Sequence, residues 1–418
     1  MKPGSFLRNV VILGSGTALA QIIPVLASPV LTRLYTPEDF GIFAVFMAFI
    51  GIFTPIICGK YEVALVLPKN SVHAEHLLGI ALYFAAGISV VLFIIFLLAG
   101  DRVLSLLDAD RLGNWIFFIP PALLLTGFFT AASYLANRNK QYSLMSEARI
   151  VRSLTAVCLS VVAGVIGFRF EGLLSSFLAG LAVASFLLLY WNRSMLGKRV
   201  FAWSRAKRWL LCKYRHYPIY NATTGLLNGL TLSLPIFFLS KYFPESTVGY
   251  YAIVMRVTST PLAFISASVS QINLKKVVDL VNAGRPVIPY VFKLAGVLLL
   301  IILFPALIII LWGPDLFAFV LGEKWLIAGE YARILMPAIA VQFIASTLSS
   351  TLGATNNNRI GALWKVISFL ITALVFFVLA PKGKISILLY ALCITNLILY
   401  CLYFAAILLA AHKPRNFK

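Results

Sequence analysis

Arg33-Leu34-Tyr35-Thr36-Pro37-Glu38-Asp39-Phe40-Gly41-Ile42-Phe43-Ala44 returns half a chain later as Lys241-Tyr242-Phe243-Pro244-Glu245-Ser246-Thr247-Val248-Gly249-Tyr250-Tyr251-Ala252. Both stretches read basic, aromatic, Pro-Glu, then Gly and aromatic-Ala, with one residue inserted in the first. The offset is 208 in a chain of 418 residues. Each stretch separates two long apolar runs. A looser echo follows the fourth and tenth runs, where Ala136-Asn137-Arg138-Asn139-Lys140 is answered by Ala354-Thr355-Asn356-Asn357-Asn358-Arg359. The two halves of the chain are therefore versions of one unit.

The unit is a set of membrane spans. Hydrophobic residues make up 61% of the chain and charged residues only 12%, against roughly a quarter charged in soluble domains. The apolar residues gather in runs of about twenty, the length that crosses ~30 Å of hydrocarbon as a helix. In lipid each backbone group must be satisfied within its own segment, so the runs are helices. The spans fall at 9–32, 40–59, 77–99, 113–136, 150–168, 172–191, 217–240, 247–270, 287–312, 333–355, 361–380 and 386–411. The expected fold is all-α and polytopic, with about twelve transmembrane helices in two pseudo-symmetric bundles. The N-terminal six-helix bundle is 1–192, a basic amphipathic connection is 193–215, and the C-terminal six-helix bundle is 216–418. Six spans return the chain to its starting side, so the halves share one orientation and the repeat is parallel. Bundles that rock about a shared site are a design for alternating access, which points to a carrier and away from an enzyme. The first run imitates a signal peptide up to Ala18-Leu19-Ala20 but stays apolar to Leu31, so an uncleaved first span is expected. Between spans nine and ten, the short apolar piece 316–321 is expected to form a re-entrant or interfacial turn.

Charge sets the orientation. The net charge is +21, and the basic residues fall between spans, as cytoplasmic loops require; nucleic acid is not implied. Of the 35 basic residues, 25 lie at the termini and in even-numbered loops and nine in odd-numbered loops. That bias places both termini in the cytoplasm. The connection 193–215 sets eight basic residues among Phe201, Trp203, Trp209, Leu210 and Leu211, the composition of a helix lying on an anionic headgroup surface. The five cysteines include no CxxC and read as small buried hydrophobes. His73 and His76 form the one metal-like spacing, without a third ligand; no metal and no cofactor is expected.

Polar residues inside apolar runs are the candidate site. Arg256 stands midway along span eight, where an arginine costs roughly 2.5–3.5 kcal/mol on insertion scales. It is either a cavity-facing anion ligand or one half of a pair with a buried carboxylate. Its counterpart at offset 208 is Ala48, so the fold common to both halves does not require it. Glu62, just past span two beside Lys60, is the best gate or charge partner. Arg149 and Arg152 share a face at the start of span five, as the lining of a cytoplasmic mouth or as headgroup anchors. Gln21, Asn221, Asn228 and Gln271 are amides suited either to sugar hydroxyls or to a neighbouring helix. Prolines at 24, 29, 55, 120, 121, 235, 261, 305 and 337 are expected to kink their helices. No Walker loop and no GxSxG occurs. Glu38-Asp39 imitates an acidic glycosyltransferase motif, but its return as Glu245-Ser246 makes it part of the repeated turn.

Four pieces carry a resemblance: Leu31 through Gly41, then Tyr61-Glu62-Val63-Ala64-Leu65-Val66-Leu67-Pro68, Leu234-Pro235 through Gly249-Tyr250-Tyr251-Ala252, and Gly353-Ala354-Thr355-Asn356. Together they resemble the bacterial Wzx-type oligosaccharide flippases of the MOP transporter superfamily. The resemblance implies two six-helix bundles around a central, often cationic cavity in the bacterial inner membrane. It implies a cargo of undecaprenyl-pyrophosphate-linked oligosaccharide, moved from the cytoplasmic to the periplasmic leaflet for O-antigen, capsule or exopolysaccharide assembly. A polysaccharide polymerase and a chain-length regulator are the implied partners. Arg256 resembles the cavity-facing arginine of span eight in lipid II flippases. Those proteins also carry basic residues deep in span one; here Gln21 stands there, and Arg33 lies at the outer end, the other candidate cavity cation. The alternatives are a cation-coupled multidrug exporter of the same superfamily, which calls for acidic residues inside spans, and a membrane polysaccharide polymerase or glycosyltransferase, which calls for a large outer loop.

Overall fold

A computed structural model describes residues 3–193 and 197–412, with side chains described from residue 14 onward except at 15, 198 and 220. Every regular element among them is helical. The chain packs as two units, residues 1–248 and 249–418.

The first unit opens with α1 (Pro3–Leu26) and α2 (Ser28–Leu34), separated by a break at Ala27 between Pro24 and Pro29. Then come α3 (Pro37–Phe53), the single turn α4 (Tyr61–Ala64) and the long α5 (Ser71–Leu106). A 3-10 stretch leads into α6 (Ile119–Arg138), followed by α7 (Tyr142–Ile166) and α8 (Phe170–Trp191). The basic connection forms two short helices, α9 (Lys198–Phe201) and α10 (Arg205–Lys213). A π turn, Tyr217–Ala222, opens α11 (Thr223–Tyr242), and α12 (Glu245–Val254) crosses the unit boundary. The second unit holds α13 (Thr260–Asn282), α14 (Ile288–Leu321), α15 (Leu326–Leu348), α16 (Ser350–Ala354), α17 (Asn358–Leu379) and α18 (Ile385–His412).

Among the described residues eleven helical stretches are long and apolar enough to cross a membrane. They coincide with eleven of the twelve expected spans. The twelfth is α3, 17 residues long, about 25 Å at 1.5 Å per residue. The outward faces of α5 and α14 fit lipid as solvent: Leu98, Leu300, Phe304 and Phe319 are 71–83% exposed, an arrangement that water would penalise.

The repeat is visible in the backbone. Tyr35 (φ −112°, ψ 151°) and Phe243 (φ −138°, ψ 158°) are both extended residues between two helices, 208 positions apart. The backbone register needs no insertion; Pro37 is the first helical residue of α3, whereas Pro244 stands one place before α12. Thr36 caps α3 by accepting from the Asp39 amide, while Asp39 Oδ2 accepts from the Thr36 amide at 2.9 Å. That capping box satisfies two orphan donors at the helix start. Asp39 Oδ1 also takes the Phe170 amide at 3.1 Å, tying the start of α8 to the start of α3. The second echo is a pair of identical helix ends. Lys140 (φ 59°) and Asn356 (φ 55°) are left-handed residues, each followed by a six-residue bond, Gln141 N to Ala136 O at 2.9 Å and Asn357 N to Leu352 O at 2.8 Å. These are Schellman motifs at an offset of 216.

Packing relies on small residues, as expected where lipid gives no hydrophobic drive between helices. In the first unit Ala132, Ala136, Ala148 and Ala184 let α6, α7 and α8 close on one another around Leu144, Leu181 and Leu188. In the second, Gly313 of α14 meets Gly329 of α15 so closely that a Cβ on either would strike the other's backbone.

Residues 316–321 lie in a separate helical piece beyond a break at Trp312 (φ −121°, ψ 18°), where the range Ile288–Leu321 joins two helices across a kink. Pro314 explains the break, because its ring collides with the carbonyl four residues earlier. The first unit, residues 1–248, extends past the 193–215 connection. The cause is α11, which packs on α3 through Gly229, set against Gly51 O and Ile52, and through Ser233 Oγ, which donates to Ala48 O at 3.0 Å.

Candidate functional site

The two units carry separate sets of polar residues, and each set sits where a helix departs from regular geometry. Arg256 lies in a π turn, Met255–Ser259, inside the continuous helical stretch Glu245–Asn282. The turn has a sequence cause. Pro261 has no N–H, so the Val257 carbonyl loses its usual donor four residues on, and the helix widens just upstream. Widened turns of this kind recur at functional sites. Arg256 is half-buried and Thr258, which donates to Val254 O at 2.6 Å, is buried.

Below it α13 makes a polar seam with α15 and α16. Asn273 is fully buried; its Nδ2 donates to Ser350 Oγ at 2.7 Å and Thr351 Oγ1 at 3.0 Å. Thr347 Oγ1 bonds Ser266 Oγ at 2.9 Å, and Ser270 Oγ donates to Thr347 O at 2.7 Å. Among the described residues Asn273 Oδ1 has no partner. Sequence reasoning missed this seam. Its signal was present: Ser266, Ser270 and Asn273 recur at four and three residues, one helix face.

In the first unit Arg149 donates to Thr17 Oγ1 of α1, and Ser153 Oγ donates to Ala20 O at 2.5 Å, so α7 is stitched to α1. The Arg152 guanidinium lies 5.4 Å from the Phe129 ring and 5.5 Å from the Phe177 ring. It is held between α6 and α8 by cation–π contact. Tyr134 of α6 couples electrostatically to both Arg149 and Glu62, which brings the span-five arginines and the α4 acid into one polar group.

Glu62 is the buried acid of that group, 4% exposed. Lys60, a left-handed residue (φ 62°), approaches it at 4.0 Å, while Oε2 has no hydrogen-bond partner among the described residues. Burial pushes the Glu62 carboxyl above its ordinary range; its own backbone N–H and Lys60 pull it back in part. A carboxyl so raised binds more protons folded than unfolded, so stability falls as pH rises through the interval between the unfolded and folded values. Glu62→Gln should therefore flatten that dependence. It should also stabilise the detergent-solubilised protein at neutral pH by about 1 kcal/mol, the scale of an unsatisfied buried polar atom. Melting curves of both proteins from acid to neutral pH check this; parallel curves would remove the buried-carboxylate reading.

The remaining candidates lie on open faces. Arg33 is exposed and donates to Pro29 O at 3.1 Å. Gln21, Asn221, Asn228 and Gln271 are exposed as well. His73 stacks toward Trp209 at 5.8 Å, so the His73–His76 spacing serves α5–α10 packing. Of the acidic pair, Asp39 is consumed by the capping box and the Phe170 amide.

This geometry can be set beside known proteins. A lipid II flippase, MurJ, in an inward closed conformation matches with a TM-score of 0.74 at 14% identity, over 95% of this chain and 87% of that one. A multidrug resistance MATE family transporter of the MOP superfamily, inward-facing, matches with a TM-score of 0.69 at 14% identity, over 96% and 94%. The chain therefore shares the fold of these two transporters. A Klebsiella pneumoniae protein described as an uncharacterized membrane protein in the cps region is 24% identical over 334 residues, 78% of this chain. The chain spans 66% of that relative, just under two thirds of its length. A family model for polysaccharide biosynthesis protein matches residues 30–330. With that match over most of its length, this membrane-spanning chain belongs to the polysaccharide biosynthesis protein family.

Proposed function

We propose that the protein is a flippase, not an enzyme, that carries polyprenyl-pyrophosphate-linked oligosaccharide from the cytoplasmic to the periplasmic leaflet of the bacterial inner membrane, with both termini in the cytoplasm. Two pseudo-symmetric six-helix bundles alternate access to a shared cavity. The observation that carries the reading is Arg256: a mid-span arginine on a widened turn, in a chain of the polysaccharide biosynthesis family with the fold of lipid II and drug transporters.

The physical problem is the cargo's headgroup. Sugar hydroxyls and phosphates lose several kcal/mol each in hydrocarbon, so the headgroup needs a wet path while the prenyl tail stays in lipid. Arg256 offsets the pyrophosphate charge, and the exposed amides of Gln21, Asn221, Asn228 and Gln271 bond hydroxyls. Arg149 and Arg152 set a positive potential on the first unit's side. An inside-negative membrane favours outward movement of negative charge by about 2.3 kcal/mol per charge per 100 mV. Glu62 and Lys60 supply a charge pair that changes with the access state.

Complementation of a flippase-null strain, with lipid-linked oligosaccharide tracked in each leaflet, tests the proposal. Restored surface polysaccharide and depletion of the cytoplasmic pool are the expected result. A strain that exports cationic drugs but leaves the glycan lipid inside would point to the multidrug reading instead. The buried carboxyl of Glu62 is the one observation that favours that second reading.

A further inference from the structure

In the first unit a groove of about 630 Å³ runs along α5. Phe53 and Ile56, just where α3 ends, form one wall; Tyr83 and Gly87 of α5 form the floor; Trp203 and Leu211 of the connection close one end. The lining is almost wholly apolar, and a water there would lack the two to four polar partners it needs. The groove extends over positions 80–95 of α5, a rise of about 22 Å. One leaflet of hydrocarbon is about 15 Å deep, half of the bilayer core.

The connection that contributes Trp203 and Leu211 to the lining is basic, and it is anchored. Lys207 is wholly buried, its Nζ donating to Val200 O at 2.7 Å and lying 4.5 Å from the Tyr83 ring. The Tyr83 hydroxyl donates to Phe201 O. The same tyrosine thus floors the groove and seats both short helices of the connection on α5. Arg205, Arg208 and Lys213, on the same short helix as Lys207, are exposed, and Arg199 reaches Glu75 at 3.9 Å.

An apolar slot about 22 Å long, lined in part by Leu211 of the helix that carries the exposed cations Arg205, Arg208 and Lys213, combines the two chemistries of one molecule. We propose that this groove holds an acyl chain of a membrane phospholipid with an anionic headgroup, whose phosphate is met by the basic residues of α10. Charge complementarity selects the anionic headgroup. Groove length selects an acyl chain over an undecaprenyl chain, which would overrun it. The bound lipid pins the 193–215 connection to α5. This site is independent of what the protein transports.

Native mass spectrometry of the full-length protein, exchanged in turn into phosphatidylglycerol, phosphatidylethanolamine or added undecaprenyl phosphate, tests it. The wild type should retain phosphatidylglycerol at least tenfold over phosphatidylethanolamine. Gly87→Leu should cut that retention tenfold or more by filling the slot. A Cβ at Gly87 meets nothing within 4 Å, and a helix glycine is replaced by a better helix former, so this variant keeps its fold. Arg205→Gln with Arg208→Gln, both on exposed surface, should abolish the preference between headgroups while chain binding persists. Equal retention by wild type and Gly87→Leu would overturn the site. No preference between the two phospholipids would overturn the anionic headgroup. Preferential uptake of undecaprenyl phosphate, lost in Gly87→Leu, would assign the groove to the cargo's tail and also overturn the proposal.

Discussion

Arg256→Ala should reduce surface polysaccharide at least about a hundredfold in a complemented flippase-null strain at normal expression. The size follows from the interaction. Hydrogen bonds to charged groups contribute roughly 1.5–3 kcal/mol each, and a guanidinium makes two or more to a phosphate; each 1.4 kcal/mol is about tenfold. Loss through misfolding can be separated from loss of binding. Removing an arginine from mid-span lowers the insertion cost by roughly 2.5–3.5 kcal/mol, so the variant should reach the membrane at least as well as the wild type. Arg256→Lys should recover part of the activity, because the charge remains while the planar fork is lost. Wild-type polysaccharide levels in Arg256→Ala, at equal protein in the membrane, would exclude an essential cation at this turn. The reverse substitution at Ala48, the position related by the repeat, offers the complementary test: Ala48→Arg places a charge at a buried site, beside the Ser233 bond to its carbonyl, and should lower the melting temperature.

The spans and the repeat were legible because both are one-dimensional signals. Hydrocarbon thickness fixes run length, and a duplicated turn leaves matching residues at one offset. The twelve runs accordingly coincide with helices, including α3, which ends at Phe53, six residues before its apolar run does. What could not be read was which helices touch. Residues 316–321 read as a separate piece because Gly313-Pro314-Asp315 interrupts the apolar run, and the backbone does break there, at Trp312. The site divides in the same way. Arg256, Glu62, Arg149 and Arg152 stood out as charges in apolar surroundings. Their partners Thr17, Phe129, Tyr134 and Phe177 come from other helices, and no spacing along one helix reveals them. The Asn273 seam was hidden because serine and threonine inside a membrane helix usually bond their own backbone, as Thr258 does. The π turn was likewise invisible until Pro261 was considered together with the carbonyl it deprives.

Gly41→Leu should abolish the folded protein, whereas Gly87→Ala should leave its melting temperature unchanged or raise it. Both glycines lie inside long helices and look equivalent in sequence. At Gly41 an added Cβ would fall on the backbone of Glu245, striking its carbonyl oxygen and carbon. The obstacle is main chain, not a side chain that can rotate away. The contact joins the first repeated turn to the start of the second, so relief requires α3 to move away from α12. That movement would pull Asp39 from the Phe170 amide and Ala48 from Ser233. Overpacking costs about 1–3 kcal/mol where neighbours yield, and more than about 4 kcal/mol is expected where caps and buried hydrogen bonds go with it. At Gly87 nothing stands within 4 Å, and alanine gains about 1 kcal/mol of helix propensity. Size-exclusion profiles and melting curves of fluorescently tagged variants in mild detergent separate the two. A monodisperse Gly41→Leu protein melting with the wild type would show that the two repeated turns do not meet, and the register derived from them would fall with that contact.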